Sequence, residues 1–187
     1  MVVPASRTTL PLGSKAAGAS SAVRVGQFGL ALVSAGNPGP GAHEPGLVGV
    51  HTGGVWLAER LRRDLGIEAE VGVLDVSFYR DDFASGGLKG GVRPSRIPFD
   101  VSGRHLILVD DVLYTGRTVR AAMNELFDYG RPASIDLAVL IDRGGRELPV
   151  AASVVGRTIE LPEEVGVVLT READGRLHLT LEQKGRG

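Results

Sequence analysis

The 187-residue chain has no cysteine, one tryptophan, two methionines and only 5% aromatic residues. Without thiols it builds neither a disulfide scaffold nor a thiolate metal site, and the composition suits a reducing compartment. No apolar run reaches the roughly 18 residues of a membrane-spanning helix, which points to a cytoplasmic protein with no membrane partner. An excess of one charge sign is missing too. The net charge is −1; of 21 basic and 22 acidic residues, three and one lie in residues 1–44, which leaves 18 against 21 in residues 45–187. Such a balance argues against a general nucleic-acid-binding protein and leaves a local basic patch open. Two common phosphate loops are also lacking: no Gly-x-x-x-x-Gly-Lys-Ser/Thr occurs, and no Gly-x-Gly-x-x-Gly opens a helix after a strand.

Residues 1–45 lack any sustained period of 2 or 3.6 and are rich in Gly, Ala, Ser and Pro, the composition of a flexible low-complexity tail. The run FGLALVSAGN after Arg24 imitates a signal-peptide core and cleavage site but lies too far from the start. That leaves residues 46–187 as one α/β domain, since 43% hydrophobic content over this length supplies a single core.

The most informative stretch is residues 106–118, LILVDDVLYTGRT. Four apolar residues run into adjacent carboxylates, and a short loop carries Thr115, Gly116, Arg117 and Thr118 into an apolar-periodic segment. This reads as a buried parallel strand, a turn and the start of a helix over residues 118–129 with Val119, Ala122, Met123, Leu126 and Phe127 facing inward. Backbone N–H groups and the helix dipole at such a turn attract phosphate, the threonines add hydroxyl donors, and Gly116 permits close approach. Asp110 and Asp111 at the strand's carboxyl end suit vicinal hydroxyls or a hydrated cation. A ribose 5-phosphate has both features. The plainer alternative is an ordinary strand-to-helix turn with a Thr cap and two solvated carboxylates.

Elsewhere LVGVH reads as a short buried strand, 52–54 (Thr-Gly-Gly) as a turn, and 55–65 as an amphipathic helix stopped by Gly66. Residues 71–79 alternate as a strand, followed by Arg80-Asp81-Asp82 and a long glycine-rich connection, 83–98, with Lys89, Arg93 and Arg96. A further buried strand, 135–141, ends in the loop 142–149, DRGGRELP. Strands near 153–158, 165–170 and 176–181 close the chain, the last two as a hairpin across Asp174-Gly175. His51, His105 and His178 share no metal-ligand spacing and are read as structural.

The string of apolar strand, two acids, three residues and Thr-Gly-x-Thr resembles the phosphoribosyl-pyrophosphate (PRPP) signature of the type I phosphoribosyltransferases. Its longer wording, VDDVLYTGRTVRAAMNEL, is similar to the pyrimidine-operon regulators that are also uracil phosphoribosyltransferases, and the resemblance runs from about Leu47 to the C-terminus. It implies a central, mostly parallel sheet flanked by helices with a C-terminal β-hairpin. It also implies conversion of uracil and PRPP to UMP and pyrophosphate, with Mg²⁺ bound mainly through PRPP and no direct protein ligand. By resemblance, Asp110, Asp111, Tyr114, Thr115, Gly116, Arg117 and Thr118 bind PRPP, and Thr52, Gly53 and Gly54 form the pyrophosphate loop. Asp110, Asp111 and Arg80 would be catalytic, Arg80 through the pyrophosphate, beside a loop over 83–97 that closes on PRPP.

Many relatives carry a basic residue where this chain has Gly53, so charge stabilisation of the leaving group is expected to be weaker. The helix with which the related family usually begins is not found. Asp142 and Arg143 would frame the base; equally, Asp142 fixes its own turn or Arg143 pairs with Glu147. Purine-using relatives place an aspartate just before Thr-Gly-x-Thr, where this chain has Tyr114. A phenol, with an ordinary pKa of about 10, is a poor base at neutral pH, which favours a pyrimidine. The partners implied are PRPP, uracil, UMP or UTP, pyrimidine-operon leader RNA, and further copies of the chain in a homodimer or larger homo-oligomer. A nucleotide-sensing RNA-binding attenuation regulator with little or no turnover is the alternative.

Overall fold

The apolar runs at residues 47–50, 106–109 and 137–141 become neighbours in one parallel sheet. The structure, a computed structural model, describes residues 8–11, 44–76 and 94–183. Among them lie β1 (Thr8–Pro11), β2 (Gly46–Val50), α1 (Gly53–Leu65), β3 (Gly72–Leu74), β4 (His105–Leu113), α2 (Arg117–Asp128), β5 (Ser134–Asp142), β6 (Val154–Thr158), β7 (Val165–Arg171) and β8 (Leu177–Gln183). The five-stranded sheet has the order β3-β2-β4-β5-β6 with every neighbour parallel. From β2 the chain moves outward to β3, whereas from β4 it moves the other way to β5. The reversal leaves a crevice at the carboxyl ends of β2 and β4, where open α/β sheets bind ligands.

Alternation along the strands feeds two cores. Leu47, Ile107, Val109, Ala138 and Leu140 face α1, whose Leu57, Ala58 and Leu61 are fully buried with them. Val48, Val50, Leu106, Leu108, Leu137 and Val139 face α2 through Val119, Ala122 and Leu126. Each fully buried leucine contributes about 1.5–3 kcal/mol. Phe127 was expected inside and is instead 57% exposed. At about 100° per residue it lies roughly 80° round from Val119, at the edge of the buried stripe. Helix α1 ends at Gly66, whose φ of 66° is left-handed, with the Ile67 N–H returning to the Arg62 carbonyl at 3.0 Å.

The hairpin β7-β8 forms a second sheet of order β1-β8-β7, and its Leu169 and Leu179 close the α1 side of the core. Strand β1 pairs antiparallel with β8, Thr8 opposite Leu181. It lies within the segment assigned above to a tail; the rest of 1–43 falls outside the described residues. The strand expected over 71–79 is described only as Gly72–Leu74, where Val73 also bridges Arg96 through two 2.8 Å backbone bonds. Among the described residues no helix is long and apolar enough to cross a membrane.

Candidate active site

Both ends of the crevice are loops that leave a buried strand and enter a helix. At the end of β2 the His51 N–H donates to the Leu74 carbonyl at 2.8 Å, which ties the turn to β3. The His51–Thr52 peptide is cis, and Thr52 precedes the first residue of α1. Gly53 and Gly54 then press on the end of β4. A Cβ built on Gly53 would lie 2.6 Å from Asp111 Cγ and closer still to the carboxylate oxygen; one on Gly54 would run into the Val109 carbonyl oxygen. The helix start therefore fits against the acidic pair only because these side chains are absent.

At the end of β4, Asp110 and Asp111 are 3% and 7% exposed, and the Asp111 N–H donates to Asp110 Oδ1 at 2.9 Å. Buried Thr115 accepts the Arg117 N–H on its hydroxyl oxygen at 3.3 Å, and Gly116 has a φ of 92°. The first-turn N–H groups of α2 thus open beside a hydroxyl and two carboxylates, an arrangement with polarity for an anion at one end and for hydroxyls at the other. Arg117 reaches outward and ion-pairs with Glu147, its Nε at 2.8 Å.

The loop after β5 packs on this turn. Glu147 and Leu148 each donate a backbone N–H to the Thr115 carbonyl at 3.0 Å, and Arg143 N–H donates to Leu113 O at 3.1 Å. Asp142 fixes its own turn: its carboxylate accepts the Gly144 N–H at 2.9 Å and the Arg146 Nη2 at 2.5 Å. Arg143 is buried, donates to the Pro162 carbonyl at 3.1 Å, and stacks its guanidinium 4.1 Å over the Tyr114 ring, against which Gly145 also packs. Glu147 pairs with Arg117, so the alternative Arg143–Glu147 pair does not form. Arg80 lies outside the described residues, as do Asp81, Asp82, Lys89, Arg93 and most of the loop expected to close on PRPP.

Sequence reasoning missed Arg146. Besides Asp142 it donates to the carbonyls of Tyr114 (2.8 Å), Gly144 (3.1 Å), Val150 (3.1 Å) and Leu113 (3.5 Å), stapling the loop after β5 to the loop after β4. Five guanidinium N–H groups can serve several acceptors at once, but nothing in the local string DRGGRELP reveals which carbonyls will come within reach.

A phosphoribosyl transferase domain model matches residues 37–172. The bifunctional protein PyrR of Pseudomonas aeruginosa is 55% identical over 144 residues, covering 77% of this chain and 82% of its own. That of Nitrosococcus oceani is 56% identical over 130 residues, 68% of this chain and 73% of its own. The chain belongs to the PyrR family of phosphoribosyltransferases. The same fold is found in the crystal structure of the hypoxanthine phosphoribosyltransferase of Trypanosoma cruzi, with a TM-score of 0.61 at 21% identity over 85% of this chain and 90% of that one. The expected fold, a parallel sheet with flanking helices and a C-terminal hairpin, is the one observed.

In this PyrR-family chain the Asp142–Arg146 pair makes a testable contribution to stability. Burial pushes the Asp142 carboxyl up, but the Arg146 hydrogen bond, the Gly144 N–H and the charge of Arg146 outweigh it and hold the group below its ordinary 3.8. A carboxyl lowered in the folded state stabilises fully above the unfolded value, and that contribution disappears as pH falls through the lowered one. Asp142→Asn is therefore expected to lower Tm at about pH 7 and to cost progressively less below about pH 4. Melting curves of both proteins across that range check this, and a penalty independent of pH would remove the charge as its source.

Proposed function

We propose that the chain transfers the 5-phosphoribosyl group of PRPP to N1 of uracil, giving UMP and pyrophosphate. The observation that supports uracil is Tyr114. Just before the 115–118 turn, where purine-using relatives of the resembled family hold an aspartate, this chain has a phenol whose ring lies beneath the Arg143 guanidinium and beside Gly145. A pyrimidine needs no carboxylate there.

In the reaction the bond from the anomeric carbon to pyrophosphate breaks, a bond to uracil N1 forms, and the N1 proton leaves to solvent. No protein nucleophile is required, so positioning and charge stabilisation carry the rate. Thr115, Gly116, the N–H groups of Arg117 and Thr118 and the start of α2 hold the 5-phosphate. Asp110 and Asp111 hold the ribose hydroxyls, and Thr52, Gly53 and Gly54 hold the pyrophosphate. The loop after β5, with Asp142 and Arg143 in it, borders the base. Two buried carboxylates offer hard oxygen acceptors that fit the water shell of Mg²⁺ carried on PRPP, and the bound ion would neutralise charge on the departing group.

Competition among uracil, hypoxanthine, guanine and orotate for limiting PRPP, read as pyrophosphate release, tests the assignment. Uracil is expected to dominate; efficient use of a purine would overturn the reading of Tyr114.

A regulatory role on RNA is favoured by the name of the relatives, bifunctional protein PyrR. Arg62, Arg63, Arg104, Arg120 and Arg131 are the candidates for an RNA face. Arg62 and Arg63 end α1, with Arg62 already donating to the Glu68 and Ala69 carbonyls; Arg104 and Arg131 precede β4 and β5; Arg120 lies in the first turns of α2. Arg104 and Arg131 sit side by side at the amino ends of β4 and β5, where the Gly103 N–H donates to the Arg131 carbonyl at 2.8 Å and the Ala133 N–H to the Arg104 carbonyl at 2.9 Å, and copies of the chain in a homo-oligomer would enlarge such a basic face. Filter binding to a pyrimidine leader RNA is expected to weaken with salt and to respond to UMP. Affinity equal to that for unrelated RNA, and indifferent to UMP, would leave an enzyme without the regulatory role.

A further inference from the structure

The loop that leaves β2 reads His51-Thr52-Gly53-Gly54, and it contains no lysine or arginine. Among its side chains, those of His51 and Thr52 meet directly: His51 Nδ1 lies 2.8 Å from Thr52 Oγ1, in a half-buried position at the mouth of the crevice. We propose that His51 is a positioning residue for the leaving pyrophosphate, acting through the Thr52 hydroxyl. This inference rests on the assignment of Thr52, Gly53 and Gly54 to the pyrophosphate.

The chemistry follows from a donor count. A threonine hydroxyl has one proton to give and lone pairs to receive. If His51 Nδ1 is bare, it takes that proton, and Thr52 presents only lone pairs to the crevice, which repel a phosphate oxygen. If Nδ1 carries the proton, it donates to Thr52 Oγ1, and the hydroxyl proton turns outward. An anion in the crevice therefore selects the tautomer or the imidazolium with Nδ1–H, and the chain of donors runs from Nδ1–H to Oγ1–H to the ligand oxygen.

The backbone holds the imidazole in register for this. The His51 N–H is fixed to the Leu74 carbonyl at 2.8 Å, and Leu74 is fully buried, so the residue cannot slide along the strand end. At the next position Gly53 carries no side chain, and the Asp111 carboxylate fills the space that a Cβ there would take. A loop that lacks a fixed cation thus gains an oriented hydroxyl donor whose direction is set by its neighbour.

The test is inhibition by inorganic pyrophosphate, competing with PRPP in the uracil reaction, for the whole chain and its variants His51→Ala, His51→Asn, Thr52→Val and His51→Ala/Thr52→Val. Loss of an oriented donor to an anion is expected to raise the inhibition constant about tenfold in Thr52→Val and similarly in His51→Ala. The double variant is expected to be no worse than Thr52→Val alone, because both changes break one chain of bonds. His51→Asn, whose amide places a donor near the Nδ1 position, is expected to stay within about threefold of the parent, and KM for uracil is expected to hold in all four. Should His51→Ala not fold, His51→Gln, which lacks a donor at that position, replaces it under the same criteria. An unchanged inhibition constant in His51→Ala, or losses that multiply in the double variant, overturns the inference alone. An unchanged constant in Thr52→Val overturns the pyrophosphate assignment of the loop and the inference with it.

Discussion

Gly53→Ala is expected to lower kcat/KM for PRPP by roughly a hundredfold, and Gly53→Arg by at least as much, although arginine would bring the cation that this loop lacks. The reason is steric and precedes any charge effect. A Cβ at position 53 would sit 2.6 Å from Asp111 Cγ and nearer to its oxygen, closer than Cβ atoms approach other heavy atoms. Either the carboxylate swings away or the start of α1 lifts off β4, and a displacement of about 1 Å at a reacting centre carries a cost of this order. Steady-state kinetics with Tm as a control for folding would settle it. Activity restored or raised by Gly53→Arg would mean that the missing charge, not the contact, governs the site. The weakening expected from the missing cation therefore has a steric counterpart, since in this chain the Asp111 carboxylate fills the space that a Cβ at position 53 would take.

Asp110→Asn and Asp111→Asn are each expected to lower kcat/KM for PRPP at least about tenfold, the loss of about 1.4 kcal/mol expected when a charge-assisted contact is weakened. Asparagine keeps the shape of the side chain, and at position 110 its carbonyl oxygen can still accept the Asp111 N–H, so the 2.9 Å bond that shapes the turn survives. The fold is accordingly expected to persist while ribose binding suffers. Full activity and PRPP affinity in both variants would remove the carboxylates from the ribose.

Much of this architecture was legible because it is written in local pattern. An apolar run ending in two carboxylates and Thr-Gly-Arg-Thr gave the strand-turn-helix of β4 and α2 to within a few residues, and Gly66 and Asp174-Gly175 marked a helix stop and a hairpin turn. Proximity along the chain was enough for those. It was not enough for β1, four residues whose partner β8 is some 170 positions away and whose pairing adds no recognisable period to its own sequence. Nor was it enough for Arg146, which serves carbonyls on a different strand end. Phe127 shows the limit of periodicity itself: a stripe of fixed width cannot say which edge residue falls outside. Residues of this kind acquire meaning only when separate segments meet.

Helices α1 and α2 stand on opposite faces of the sheet, each in its own core, and each begins at one of the two loops that flank the crevice. On the proposed assignment, a substrate stretched between those loops would be held by two mechanically separate hands that share β4 as a common wrist. Loosening the packing under α1, at Leu57 or Leu61, should slacken the hold on the departing group, whereas loosening it under α2, at Val119 or Leu126, should slacken the hold on the 5-phosphate. The protein can in this way drift in its affinity for one end of a ligand without surrendering the other, a freedom that a single undivided core would deny it.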